Sequence, residues 1–308
     1  MPGSVTPPHQ TASTNGAIGH GGLRMAFLPA APVLTALKRM RVRCGCLDGL
    51  EFLWLEITRR CNLTCAHCYA SSGPDLPLTE RMTFADWCRV IDQAHALGCR
   101  RLQFIGGEPT IHPDLQSLLE HATQVGFRQC EVFTNATLLR EDLIQTFKKL
   151  GALVFFSFYS IDPAIHDQIT GHRGSFERTV EGIRQLASRR VRMAAGIVLL
   201  PQNAAHLKQT ERFLRRLGVK RIENDRVRGV GRGQQFVPLS TMPRGELCGA
   251  CWSGKLCVDS DGYAHPCVFS RFVSVGNVLD DGIGAIVAGA RLRAFRHDVF
   301  MGDRGGWQ

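Results

Sequence analysis

"LEFLWLEITRRCNLTCAHCYAS", residues 50–71, joins an apolar run of strand length directly to three closely spaced cysteines, Cys61, Cys65 and Cys68. The run "LEFLWLEIT" (50–58) is followed by others of the same kind: "RLQFIGG" (101–107), "CEVFTN" (130–135), "ALVFFSF" (152–158), "RMAAGIVLL" (192–200) and "RIENDRV" (221–227). Between them the apolar residues fall at helical spacing, as with Trp87, Cys88, Ile91 and Ala94 or Leu115, Leu118, Leu119 and Ala122. Six strands alternating with helices predict an α/β fold of parallel strands and right-handed crossovers. The alternation suits an open doubly wound sheet as well as a full or partial barrel. In either, the functional groups belong at the carboxyl edge of the sheet, and Cys61, Cys65 and Cys68 follow the first strand there.

The 308 residues are 44% hydrophobic and 21% charged, the composition of an ordinary globular protein. No apolar run approaches the roughly 20 residues that span a bilayer, and residues 1–22 lack a basic start followed by an apolar stretch. A cytoplasmic protein with no membrane attachment is expected. Twelve cysteines in a reducing compartment point to metal binding or reactivity rather than to disulfides. The net charge of +10 comes from arginines scattered over several helix faces, so nucleic acid is not an expected partner. Residues 1–22, rich in Pro, Gly, Ser and Thr, read as a disordered tail, and 23–49 as a basic lead-in.

Three thiolates in C-x-x-x-C-x-x-C spacing can wrap three corners of a cubic iron–sulfur cluster and leave the fourth iron open for chemistry. A second group, Cys248, Cys251, Cys257 and Cys267, contains one C-x-x-C pair and by itself suits structural zinc as well as iron–sulfur.

The first spacing, with His67 just before the third cysteine, resembles the signature of the radical S-adenosylmethionine (SAM) superfamily. "FIGGEPTIHPDL" (104–115) is similar to that family's GGEP element. The resemblance implies a partial (β/α)6 TIM-type barrel over 50–235. Cys61, Cys65 and Cys68 would hold a [4Fe–4S] cluster, and Gly106, Gly107, Glu108 and Pro109 would bind SAM. Thr134, Asn135 and Ser157, at the ends of the third and fourth strands, are hydrogen-bonding side chains suited to the cofactor's ribose or carboxylate. The implied chemistry is reductive cleavage of SAM to a 5′-deoxyadenosyl radical that abstracts a hydrogen atom from substrate. The protein must then hold the target C–H within about 3–3.5 Å and exclude water.

Gly262, five residues before Cys267, makes the late cysteines resemble a shortened SPASM or twitch extension over 236–308. That implies one auxiliary [4Fe–4S] cluster with Cys248, Cys251, Cys257 and Cys267 as ligands. Asp261-Gly262 would turn a short hairpin, and "VGNVLDDGIGAIV" (275–287) would supply a capping strand and helix. Enzymes of this architecture resemble maturases of ribosomally made peptides that form cross-links or thioethers, epimerise or oxidise. The implied partners are a precursor peptide, a separate peptide-recognition protein, and a reductase or a flavodoxin or ferredoxin as electron donor. The alternatives are a radical SAM dehydrogenase or related small-molecule enzyme and, further off, a non-catalytic iron–sulfur or zinc protein.

Asp225, Arg226 and Arg228 at the end of the sixth strand lie on the correct edge to orient substrate or cofactor. Asp162 and His166 could do acid–base work but read better as a capped entry into a helix. Cys88, Cys99 and Cys130 read as structural, and Cys44 and Cys46 are candidates for a cluster ligand or a hydrogen-atom donor.

Overall fold

The computed structural model describes residues 49–78, 80–237 and 243–304, which belong to one compact unit, Arg41–Gln308. The predicted tail and nearly all of the lead-in, with Cys44 and Cys46, lie outside the described residues.

All six predicted strands form: β1 (Phe52–Glu56), β2 (Arg101–Ile105), β3 (Gln129–Thr134), β4 (Leu153–Ser157), β5 (Arg192–Leu199) and β6 (Arg221–Arg226). They pair in parallel in chain order, with α1 (Phe84–Ala96), α2 (Leu115–Val125), α3 (Glu141–Leu150), α4 (Pro163–Thr170), α5 (Ser175–Ser188) and α6 (Leu207–Arg216) in the crossovers. The apolar stripes predicted for these helices meet the outer face of the sheet. Trp87, Ile91, Leu118, Leu119, Phe147 and Ile183 are fully buried there. Local chemistry agrees with the boundaries: Thr83 and Asp86 form a reciprocal capping box at the start of α1, and the Asp162 carboxylate accepts from the first amides of α4.

The sheet has nine strands in the order β6-β5-β4-β3-β2-β1-β7-β8-β9, with β6 at one edge and β9 at the other. It is therefore an open barrel of six parallel strands extended through the cysteine-rich region. β7 (Lys255–Val258) pairs in parallel with β1, with Trp54 opposite Cys257. β7 and β8 (Tyr263–His265) form the predicted hairpin, and Gly262 takes the left-handed backbone its turn needs, at φ +85°. β9 (Gly276–Asn277) and α7 (Gly282–Ala288) are the predicted capping strand and helix, and α8 (Ala290–Arg304) follows.

The inner face is more polar. Trp54, Gln103 and Glu131 lie level on β1, β2 and β3: Trp54 Nε1 donates to Gln103 Oε1 at 3.0 Å, and Gln103 Nε2 to Glu131 Oε2 at 2.6 Å. Above them Phe133 and Phe155 stack, with centroids 5.0 Å apart.

Arg296 of α8 is fully buried and donates to the carbonyls of Gly49 at 2.9 Å and Lys255 at 3.1 Å, fastening α8 to the chain entering β1 and to the start of β7. Arg296→Leu strands these acceptors and is expected to cost about 1–3 kcal/mol, read as a lowered urea midpoint at unchanged m-value.

Candidate functional site

The cluster loop leaves β1 and is clamped to β2 by backbone. Gly107 N donates to Thr58 O at 2.7 Å and Glu108 N to Arg60 O at 2.9 Å. A Cβ on Gly106 would strike the Thr58 carbonyl, one on Gly107 the Arg60 carbonyl, and Gly106 has φ +145°. The glycine pair thus serves first to let two strand ends approach each other.

Glu108 is fully buried, and its carboxylate is taken up internally. Oε1 accepts from Thr110 N at 3.0 Å and from the hydroxyls of Thr110 and Thr134 at 2.6 Å each; Oε2 accepts from Asn135 N at 2.7 Å. Burial pushes its pKa up while these donors pull it down. The residue read from sequence as a SAM contact therefore brackets the ends of β2 and β3. Pro109 is buried in a short 3-10 turn behind it.

A cavity of about 810 Å³ fills the inner face of the sheet. Cys61, Cys65 and Cys68 line it together with Gly106, Gly107, Thr134, Asn135 and Ser157, so the structure gathers all of these predicted residues except Glu108 and Pro109. Its wall continues down Phe133, Phe155 and Gly196 and reaches Arg226 and Arg228 at the exposed edge strand β6. Asp225 holds Arg228 at 2.7 Å, and Arg226 meets Glu246 at 3.1 Å, which ties β6 to the segment before Cys248.

Burial raises the Cys61 thiol well above its ordinary value and Cys65 to about 12. Donors face two of the sulfurs: Leu63 N lies 3.4 Å and Asn135 Nδ2 3.9 Å from Cys61 Sγ, and the Tyr159 hydroxyl hydrogen-bonds Cys65. Arg232 Nε donates to Cys65 O at 2.9 Å, and its Nη2 to Ser72 O at 2.8 Å. His67 lies edge-on to Tyr159, with centroids 4.9 Å apart, and lines the cavity. Burial lowers its pKa to about 4, and its Nδ1 has no hydrogen-bond partner among the described residues. Thiols with donors aimed at them, beside an orphaned ring nitrogen, fit an iron–sulfur cluster with a polar ligand next to it.

The late cysteines divide. Cys251 Sγ and Cys267 Sγ are 3.1 Å apart as free thiols, and Cys248 hydrogen-bonds Cys251, which lowers the Cys248 thiol to about 5. Cys251 and Cys267 are walled by Trp252 and, from α8, Phe295, Val299 and Phe300. Cys257 lies on β7 in a different packing group, with Ile105 and Val268.

The family is decided by matches along the chain itself. Residues 55–214 match the radical SAM superfamily, and 248–304 match SPASM, an iron–sulfur cluster-binding domain. The chain belongs to the radical SAM superfamily. Its cofactors are accordingly a [4Fe–4S] cluster, SAM and an auxiliary iron–sulfur cluster. The chain is 26% identical over 263 residues to the antilisterial bacteriocin subtilosin biosynthesis protein AlbA of Bacillus subtilis (strain 168), covering 75% of this chain and 58% of AlbA. It is 28% identical over 183 residues to the Fe-coproporphyrin III synthase of Methanosarcina barkeri (strain Fusaro / DSM 804), covering 59% of this chain and 45% of that protein. The chain thus spans about half the length of these curated relatives. In fold it is similar to Streptococcus suis SuiB bound to precursor peptide SuiA, with a TM-score of 0.67, 13% identity, and coverage of 90% of this chain and 74% of that one.

Sequence reasoning missed Arg232, Tyr159 and the carboxylate Glu56 at the end of β1. Arg232 sits in the glycine-rich run 229–233, 167 residues from the Cys65 carbonyl it holds. No local signal connects the two. His166 is buried between Phe158, Tyr159 and Phe176, with Nδ1 accepting from Tyr159 N at 3.4 Å, and this is a structural place. Burial lowers its pKa to about 4. Because the unfolded chain binds this proton more readily, the stability present above pH about 6.5 is lost as pH falls toward 4, by up to about 3 kcal/mol. His166→Gln is expected to flatten that part of the stability profile, measured by urea unfolding across the range.

Proposed function

We propose that this protein is a radical SAM enzyme that modifies a ribosomally made peptide. The observation that carries the reading is the continuous cavity, which runs from the three cysteines past an exposed edge strand and borders the auxiliary region at Val268. A chain segment can enter there and place one C–H beside the cofactor, and the auxiliary cluster would accept an electron from the substrate radical. Cross-linking, thioether formation and oxidation need such an acceptor; epimerisation needs a hydrogen donor instead. The match to AlbA supports the reading, since at 75% of the chain it extends beyond the 55–214 segment.

In this reading Cys61, Cys65 and Cys68 hold the cluster that cleaves SAM, and Gly106, Gly107, Thr134, Asn135 and Ser157 contact SAM, with Glu108 and Pro109 bracing them from behind. Cys248, Cys251 and Cys267 hold the auxiliary [4Fe–4S] cluster, with Cys257 as the fourth candidate. Residues 50–235 carry the barrel and 236–308 the auxiliary part. A precursor peptide, a separate recognition protein and a flavodoxin or ferredoxin system are the partners, in the cytoplasm; no helix among the described residues is long and apolar enough to cross a membrane. A second reading, a small-molecule substrate, is favoured by the similarity to Fe-coproporphyrin III synthase.

Anaerobically reconstituted protein is expected to hold about eight irons, two four-iron clusters. With SAM and a reductant it should release 5′-deoxyadenosine and change the mass of a precursor peptide encoded beside its gene. Cys61→Ala should lose about four irons and all cleavage, whereas Cys267→Ala should lose the auxiliary signal and keep cleavage. Failure of fully loaded protein to cleave SAM defeats the enzyme reading; modification of a porphyrin but of no peptide selects the second one.

A further inference from the structure

The two cysteine-bearing regions touch through aromatic rings. Tyr69 directly follows Cys68, and Phe269 lies two residues after Cys267. Their rings meet edge to face, with centroids 5.5 Å apart and planes at 71°. Each ring is held in place. Tyr69 Oη donates to Glu56 Oε1 at 2.9 Å, and Arg271 binds the same carboxylate while its guanidinium stands 5.5 Å from the centre of the Tyr69 ring. Arg228, fixed by Asp225, stands 5.6 Å from the centre of the Phe269 ring. Neither ring is needed to ligate metal, and the contact bridges the chain next to Cys68 and the chain next to Cys267.

We propose that the Tyr69–Phe269 ring contact is the route by which an electron passes between the auxiliary cluster and the cluster held by Cys61, Cys65 and Cys68. The inference rests on the two cofactors and is independent of the peptide substrate. One electron leaves the reduced auxiliary cluster, which is oxidised, and arrives at the oxidised cluster in the barrel, which is reduced. No bond forms or breaks and no proton moves. Aromatic π levels lie closer to the energy of the travelling electron than those of saturated side chains, so a pair of rings in contact couples the two ends better than aliphatic packing of the same span. The phenol stays hydrogen-bonded to Glu56 throughout and serves to position the ring.

The test uses the loaded enzyme without peptide. Both clusters are reduced, excess reductant is removed anaerobically, and SAM is added. Each cleavage breaks the C5′–S bond of SAM and consumes one electron. The wild type should form 5′-deoxyadenosine in two phases, with the EPR signal of the reduced auxiliary cluster decaying in step with the second. In Phe269→Leu the second phase, relative to the first, should slow roughly tenfold or more while the auxiliary signal persists. Phe269→Tyr keeps the ring, leaves the Tyr69–Glu56 hydrogen bond intact, and should keep the wild-type ratio. The proposal is overturned by an unchanged ratio in Phe269→Leu carrying both EPR signals, by a slowed second phase in Phe269→Tyr, or by a wild type whose auxiliary electron never reaches SAM. A substrate other than a peptide leaves all of these readouts unaffected.

Discussion

The carboxylate of Glu56 sits at the last position of β1, 3% exposed, with Tyr69 and Arg271 as its hydrogen-bond partners. An isolated carboxylate at such depth costs several kcal/mol, an amount comparable with the net stability of a domain. Here one partner comes from the cluster loop and the other from the segment after Cys267. Neither segment can leave without stranding the charge that the other helps to hold. Burial lowers the Arg271 pKa to about 10, so it is still a cation at neutral pH. The two cysteine regions are thereby docked on one strand end through a single carboxylate.

β1 imposes the same coupling through its backbone. It pairs in parallel with β2 on one side and β7 on the other. A parallel partner requires a crossover, and the crossover from β1 to β7 is the whole barrel. The auxiliary region is therefore continuous with the barrel sheet, and the β1–β7 register fixes its height against the cavity. On the inner face Trp54, Gln103 and Glu131 spend their polar groups on one another, which fixes side chains next to the cavity without leaving a buried donor or acceptor open.

The six strands and most crossover helices were legible because periodicity, strand length and turn residues pointed the same way at each of them. The cysteine triplet and GGEP were legible because their signals are local. β7 was legible only as one arm of the hairpin turned at Asp261-Gly262; its parallel pairing with β1, which sets Cys257 opposite Trp54, was not, because "KLCV" is four residues long and its partner strand lies far back in the chain. α8 mixes its buried apolar residues, Leu292, Phe295, Val299 and Phe300, with one fully buried arginine, so its inward face does not read as a clean apolar stripe. The position of Glu108 was legible, but only the fold reveals that four donors converge on it from 110, 134 and 135. Glu56, Arg232 and Arg271 act across gaps that no sequence window bridges.

Arg232 shows how the charge of the cluster site is balanced. Three thiolates around a four-iron cluster, as proposed for Cys61, Cys65 and Cys68, would carry net negative charge in either oxidation state, in a place where burial drives Cys61 and Cys65 toward the neutral thiol. The guanidinium of Arg232 forms no ion pair among the described residues; its donors are spent on the carbonyls of Cys65 and Ser72. Carbonyls fix its position without cancelling its charge, so the full cation remains available to the loop. A carboxylate partner would hold the side chain equally well but would neutralise the field that favours thiolate at Cys65. The neutral amide of Asn135 and the backbone amide of Leu63 act in the same sense at Cys61.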